Sequence, residues 1–557
     1  MNLIKSKFRN FILIGVFGMC WFYTLLYTAA KAYGLPVQKP QAKVQELIIA
    51  VRNDPQSLDP HKTVAVEDHK ILQDLLEGPY IFDSQGNTIP GTFVYAYSND
   101  QQGWTFNLRL GLRWSNGEPV TAYDFVYSWQ RLADPQTASP KSGVLQEMGI
   151  KHINDIIAGK RPPTDLGLIA SGPSTLHLFL DKPLGFITKL LTDTTLLPIH
   201  PATVKKYGDN WSLPAHYVSN GAYCLKERVV NDKVVLTRNP YYWNNKNTQI
   251  NQVTYLPIAD ADAELAHYKN GLLDISSKMN SNRCNQLLPE FSKEIQWVTG
   301  TTLNGLILNT KIKPFNDVRV RQALNLALDR EKLFESLAMI GQVPAYNVVP
   351  DGTGGLPAFQ PPWRSWNFDQ RLHIAKQLLQ QAGCNEKNPL TFSILYPSSN
   401  QEFKQLATYL NSLWNMLLGA RITLNPQEWK MFLEKRKKGE YQMARFIVSD
   451  YNEPYGLLSR CQSVNTSNQT GYANPQFDHF LEKTWNSMHD FERHPWYHRA
   501  EALLAEEAPI IPISHPRYAY LVKPYVGGLS SEKQFESFYT KNLYIRRHSQ
   551  APKSPRK

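Results

Sequence analysis

The chain has 557 residues, 42% of them hydrophobic and 19% charged, with 13 Trp, 28 Tyr, 24 Phe and a formal net charge of +12. That length exceeds what one hydrophobic core serves, so several lobes are expected, and the aromatic-rich composition excludes a disordered chain. A basic balance suits nucleic acid, an anionic membrane face or acidic partners. Its one dense run, "EKRKKGE" (434–440), is flanked by acids and stops at Gly439, so it reads as a solvated helix end and argues against a nucleic-acid surface.

Residues 1–32 read as an export signal: Lys5, Lys7 and Arg9 precede the apolar "FILIGVFGMCWFYTLLYTAA" (11–30), and "AKA" (30–32) offers small residues for cleavage. The apolar run is long for a signal, so an uncleaved segment tethering the chain to the membrane is the alternative. Cys20 lies mid-core behind Met19, which argues against lipidation. No later stretch is apolar enough to span a bilayer, so the remainder is expected to be soluble and extracytoplasmic. Cys224, Cys284, Cys384 and Cys461 are far apart, with no CxxC pair and no zinc spacing. An oxidising compartment permits disulfides among them without requiring any, and the sequence does not pair them.

In chain order, "LIIAV" (47–51) predicts a short central strand. "WTFNLRL" (104–110) alternates apolar and polar residues and predicts a half-buried strand. Asn116-Gly117 marks a tight turn. Thr121 with Asp124 three residues on approximates a capping box, opening a helix whose Phe125, Val126, Trp129 and Leu132 share one face, and "ADPQTASP" (133–140) ends it. Farther on, 318–337 reads as one amphipathic helix, 372–383 as a helix ending in glycine, 390–396 as a strand, 402–419 as a long helix and 421–429 as extended. Such alternation argues α/β lobes.

Catalytic signatures are missing. "DGTGG" (351–355) has no helix after it to receive a phosphate and reads as a loop, and GxxxxGK[ST], HExxH and GxSxG do not occur. His489, His494 and His498 lie near two acids. Pro495 suits a first helical turn, which makes His494 a cap neighbour, and a helical His pair lacks a third metal ligand of fitting spacing. In "SDYNEP" (449–454), Asp450 and Glu453 could receive a ligand's ammonium group or cap the next turn, and the residues alone leave both readings open.

Ten blocks carry a resemblance: "QSLDPHK", "WTFNLRL", "WSNGEPVTAYDFVYSWQRLADPQTASP", "NGAYCLKE", "LTRNPYYWNN", "INQVTYLPI", "PFNDVRVRQALNLALDR", "EWKMFLEKR", "DYNEP" and "LVKPYVGG". From about Glu46 to about Tyr544 the chain resembles the oligopeptide-binding branch of the extracytoplasmic solute-binding proteins, family 5, that serve ABC importers. The resemblance implies an α/β fold, the type II periplasmic-binding-protein clamp with two ligand lobes and an extra third. It places lobe I at 33–76 with 201–301 and 517–557, the extra lobe II at 77–200, and lobe III at 302–516.

It further implies a periplasmic receptor that holds an extended peptide mainly through its backbone, side chains entering hydrated pockets. The ammonium-binding aspartate falls at Asp450, with Tyr451 and Asn452 beside it. The basic residues near the ligand carboxylate fall at Arg436 and Arg445, and a pocket tryptophan at Trp429. No catalytic residue, metal or cofactor is implied. The expected partners are short peptides and the permease subunits in the inner membrane, not nucleic acid, and the chain is expected to be a monomer.

Departures from the pattern matter as much. Lys141, Leu306 and Pro516 occupy slots where relatives offer ligand-facing tyrosines, Val64 replaces a glutamate and Ala338 a lysine. The stretch from Arg445 to Asp450 is one residue shorter. The two cysteines that pair in the relatives fall at Thr302 and near Val448, so that disulfide is absent. A rebuilt pocket wall implies a specialised ligand set of short peptides, with cell-wall peptides carrying an extra charged centre within it. The alternatives are a non-peptide solute (a metal chelate, haem or a sugar) on the same fold, or a chaperone-like binder using aromatic grooves.

Overall fold

The computed structural model describes residues 42–547 apart from 64, 84–85, 280, 338, 340–341, 450–452, 530–533 and 536–537. The signal segment at 1–32, the basic tail at 551–557, and Val64, Ala338, Asp450, Tyr451 and Asn452 therefore lie outside the described residues.

β1 (Glu46–Val51) buries Leu47, Ile49, Ala50 and Val51. β2 (Phe93–Ser98) and β3 (Gly103–Leu108) form an antiparallel pair, and β3 buries Trp104, Phe106 and Leu108 while the residues between them stay half-buried. This is the period of a strand with one face on a core. The strand stops at Leu108, and Leu110 is exposed in the turn that follows. At Asn116-Gly117 the expected turn forms, with Gly117 at φ +89° donating its N–H to the Trp114 carbonyl at 2.9 Å. α1 (Ala122–Ala133) begins where the Asp124 carboxylate accepts from the Thr121 N–H at 2.7 Å and from the Trp114 indole at 3.3 Å. It buries Phe125, Trp129 and Leu132, with Val126 at the margin.

β4 (Leu168–Gly172) and β5 (Thr175–Phe179) complete a sheet of order β2–β3–β5–β4. β6 (Tyr223–Val229), β7 (Lys233–Arg238) and β8 (Gln252–Pro257) join β1 in the order β1–β8–β7–β6, so β1 ends this path and is not central. Its outer edge meets residues 274–275, through a parallel bridge from Ile49 to Ile275 and a hydrogen bond from the Ala50 N–H to the Ile275 carbonyl at 2.9 Å. A single hydrophobic cluster runs through both sheets.

Beyond them come β9 (Ile295–Thr299), β10 (Thr302–Leu308), α2 (Val318–Leu326), α3 (Arg330–Ser336), β11 (Thr391–Pro397), α4 (Gln401–Leu418), β12 (Arg421–Gln427), α5 (Trp429–Lys438), β13 (Met443–Ser449), α6 (Asp490–Glu507) and β14 (Ile510–Leu521). The sheet order is β12–β11–β13–β10–β14–β9. The helix expected over 318–337 is two. The Asp329 carboxylate accepts from the Lys332 N–H at 3.2 Å and restarts the chain as α3, while Arg330 turns inward to the Pro512 carbonyl at 2.7 and 2.9 Å. α6 starts after His489, so Pro495 lies inside the helix, and His494 is a helical residue, not a cap neighbour. α4 and α5 end as expected at Gly419 and Gly439, both left-handed at φ +65° and +73°.

β14 decides how the halves join. Its first part pairs with β10 and its last part with β9. Between Asn304↔Ser514 and Thr299↔Arg517 the regular ladder lapses, and Pro516 brings no N–H to it. Two further clusters lie wholly within 303–513, so the chain passes between bodies of core here on two antiparallel strands. On the β10 side the strands are in close contact: a methyl group added at Gly305 would meet the Ile511 carbonyl oxygen at 2.6 Å. Gly305→Ala is expected to lower stability in urea unfolding by about 1–3 kcal/mol through this overpacking.

Candidate functional site

Two cavities flank the crossing. The larger, about 540 Å³, is lined by Gly300, Thr301, Asn347, Asp351, His515 and Arg517 among others. The smaller, about 160 Å³, is lined by Asn304, Glu402, Phe403, Arg445, Ile447 and Arg517 among others, and Pro516 borders both. His515 is buried, its Nδ1 3.3 Å from the Thr302 carbonyl, and burial pushes its pKa down to about 4, so at neutral pH it is an uncharged donor within the hinge.

β13 carries the first of the expected site residues. Ala444, Phe446 and Val448 point into a core, and the pleat therefore turns Arg445 and Ile447 to the open side. The Arg445 guanidinium lies 5.5 Å from the Phe403 ring centroid, and burial lowers its pKa, partly offset by Glu402. Glu402 is itself engaged, accepting from the Gln342 amide at 2.9 Å.

α5 brings Trp429, Phe432 and Arg436 onto one side, at helical spacing of three and four residues. Phe432 is buried, Arg436 packs over it with its carbon centre 5.1 Å from the ring centroid, and Trp429 packs against its far side while staying 50% exposed. Arg436 donates to the Arg445 carbonyl at 3.3 Å, which ties α5 to β13. Its pKa too is lowered by burial. Among the described residues neither arginine has an ion-pair partner, and each keeps a buried Nε without a hydrogen bond. Three expected residues, Arg436, Arg445 and Trp429, are thus brought together.

Other expectations resolve differently. Of the acids in "SDYNEP", Glu453 is spent inside the protein: it pairs with Lys189 at 2.8 Å and accepts from the Tyr497 hydroxyl. Lys189 also reaches Asp490 at 2.9 Å, so the 77–200 segment is held to the later chain by a buried charge cluster. Leu306 is fully buried in a core and lines neither cavity, nor does Lys141; Pro516 lines both. Thr302 and Ser449 pair across β10 and β13 with their hydroxyls 2.7 Å apart, near where the relatives' disulfide would fall. Cys224, Cys284, Cys384 and Cys461 are all free thiols. His494 and His498 face the Gly354 and Pro357 carbonyls at 3.4 and 2.9 Å, and no metal-holding group of three or more ligands occurs among the described residues. The sequence reading missed Arg517, although it stands next to the singled-out Pro516; one basic residue in a strand carries no pattern.

A family model described as "Bacterial extracellular solute-binding proteins, family 5 Middle" matches residues 90–469. The chain belongs to this family. It is 40% identical to the periplasmic oligopeptide-binding protein OppA of Salmonella typhimurium, over 94% of this chain and 96% of that one. To the periplasmic murein peptide-binding protein MppA of Escherichia coli it is 35% identical, over 91% and 94%. Among solved structures, MppA in its unliganded open form matches with TM-score 0.87 at 34% identity, covering 92% of this chain and 100% of that one. A second structure of the Escherichia coli MppA, covering 91% and 100%, gives 0.70 at the same 34%. The α/β type II clamp is thereby the fold of this chain.

Two predictions follow from the electrostatics. Arg436→Met and Arg445→Met remove desolvated charges that have no ion-pair partner among the described residues, so each is expected to leave the unliganded protein's urea midpoint unchanged or raised. Glu501 is fully buried beneath the cavity loop, accepting from the Val349 N–H at 3.0 Å, and burial pushes its pKa up to about 8. The unfolded chain releases that proton near pH 4.3 and the folded one retains it. Stability is therefore expected to fall as pH rises from about 4.3 towards 8, and Glu501→Gln to flatten that slope in urea titrations.

Proposed function

We propose that the protein is a periplasmic receptor that binds short peptides and delivers them to the permease subunits of an ABC importer by closing its lobes around them. The observation that carries this reading is the pair of half-buried guanidiniums, Arg436 bonded to the Arg445 carbonyl, neither with an ion-pair partner among the described residues, and Arg445 lining a cleft of about 160 Å³. A peptide carboxylate would supply the missing counter-charge, and a planar guanidinium meets it with two parallel hydrogen bonds. The relatives named as oligopeptide- and murein peptide-binding proteins support the same ligand class.

Asp450 takes the peptide's ammonium group in this reading, flanked by Tyr451 and Asn452, and Trp429 forms a pocket wall. Their place directly after β13, the strand that carries Arg445, supports the assignment. The lapse in the ladder near Gly300 and Pro516 supports lobe boundaries at about 301 and 516, with lobe I at 33–76, 201–301 and 517–557, the extra lobe at 77–200 and lobe III at 302–516. A ligand bridging the lobes binds the closed state better than the open one, and this difference drives closure. The protein works as a monomer, performs no chemical step on its ligand, and reaches the periplasm by the signal at 1–32.

Native mass spectrometry of the protein as isolated, with fragmentation of what is released, is expected to give peptides with free amino termini. In calorimetric titration with such a peptide, Asp450→Asn is expected to weaken binding about a hundredfold or more, because the ligand ammonium is left without its partner. Unchanged affinity would remove Asp450 from the site.

A further inference from the structure

β14 presents a third guanidinium that the clamp reading does not use. Arg517 stands where β14 leaves β10 and joins β9, paired in register with Thr299. Its side chain borders both cavities, sharing the larger with Asp351, Arg364 and His515 and the smaller with Glu402 and Arg445. The guanidinium carbon lies 5.2 Å from the Trp297 ring centroid, an orientation that holds the group against an aromatic surface.

The surroundings leave this charge uncompensated. Burial lowers the Arg517 pKa with no carboxylate opposing it, and its Nε is buried without a hydrogen bond. The acids that share its cavities have other hydrogen bonds: Glu402 accepts from Gln342 at 2.9 Å and Asp351 from the Ala358 N–H at 3.1 Å. Arg330, which also keeps one buried nitrogen unbonded, is nevertheless anchored through its others to Pro512 and Asn325, whereas Arg517 has no such anchor among the described residues. A half-buried cation lacking a counter-ion in a ligand cleft is stabilised when the ligand brings one.

We propose that Arg517 forms a second anion subsite, so that the preferred ligand is a peptide bearing a side-chain carboxylate in addition to its terminal one. The proposal rests on the receptor reading above, in which Arg436 and Arg445 take the terminal carboxylate. Arg445 and Arg517 border the same cavity of about 160 Å³, so one ligand end reaches both. The adjoining cavity of about 540 Å³ gives the acidic side chain its room.

The test is calorimetric titration of the full mature chain with tripeptides in which Glu or Gln occupies each position in turn. At one position the Glu peptide is expected to bind about tenfold tighter or more than its Gln counterpart. In Arg517→Met that ratio falls to about one while affinity for the Gln peptide, which also reports correct folding, is unchanged; Arg517→Lys keeps part of the preference. Equal affinities for Glu and Gln at every position, with binding intact, overturn the subsite and leave the receptor standing. A preference that survives in Arg517→Met overturns it as well. Failure of every peptide to bind overturns both readings.

Discussion

The rest of the molecule depends on two antiparallel strands crossing between bodies of core, β9 and β10 on one side and β14 on the other. The β10–β14–β9 ladder is interrupted between Asn304↔Ser514 and Thr299↔Arg517, and over Ser514–Pro516 β14 is also paired with a short strand, Gln342–Pro344. On the β10 side the strands are held firmly, by the close approach at Gly305 and by the Asn304–Ser514 bond of 3.3 Å. The residues at the interruption line the larger cavity.

A second link, buried Lys189 and Glu453 with the part-exposed Asp490, ties the 77–200 segment to the later chain. Burying such charges costs desolvation that their attraction roughly offsets, so the cluster adds orientation more than net stability. Around it, the Gly185 N–H donates to the Trp485 carbonyl at 2.7 Å and Phe186 packs on Tyr455 with centroids 5.5 Å apart. A packed contact thus joins the 77–200 segment to residues 453–490.

Arginines in this protein fall into two kinds. Arg330 and Arg493 are buried and bonded to carbonyls or acids, which marks them as structural. Arg436, Arg445 and Arg517 are half-buried and have no acid within ion-pair reach among the described residues, and Arg445 and Arg517 line one cavity. Holding desolvated charges in that condition costs stability.

The sequence by itself determined what local chemistry controls: the β3 alternation, the Thr121–Asp124 start of α1, the glycine ends of α4 and α5, and the clustering of basic and aromatic residues in α5. These are settled within a few residues by backbone conformation and hydrogen bonding, and the ordered blocks carried the family likeness in the same way. Only the tertiary structure decided that 318–337 breaks at Asp329, because the break is fixed by Arg330 reaching a distant Pro512 carbonyl. It likewise decided that β1 ends its sheet path, that Glu453 is consumed by Lys189, and that Leu306 faces a core. Arg517 gained its meaning the same way. A lone arginine in a strand carries no local signal, and its lack of a partner is a property of everything packed around it.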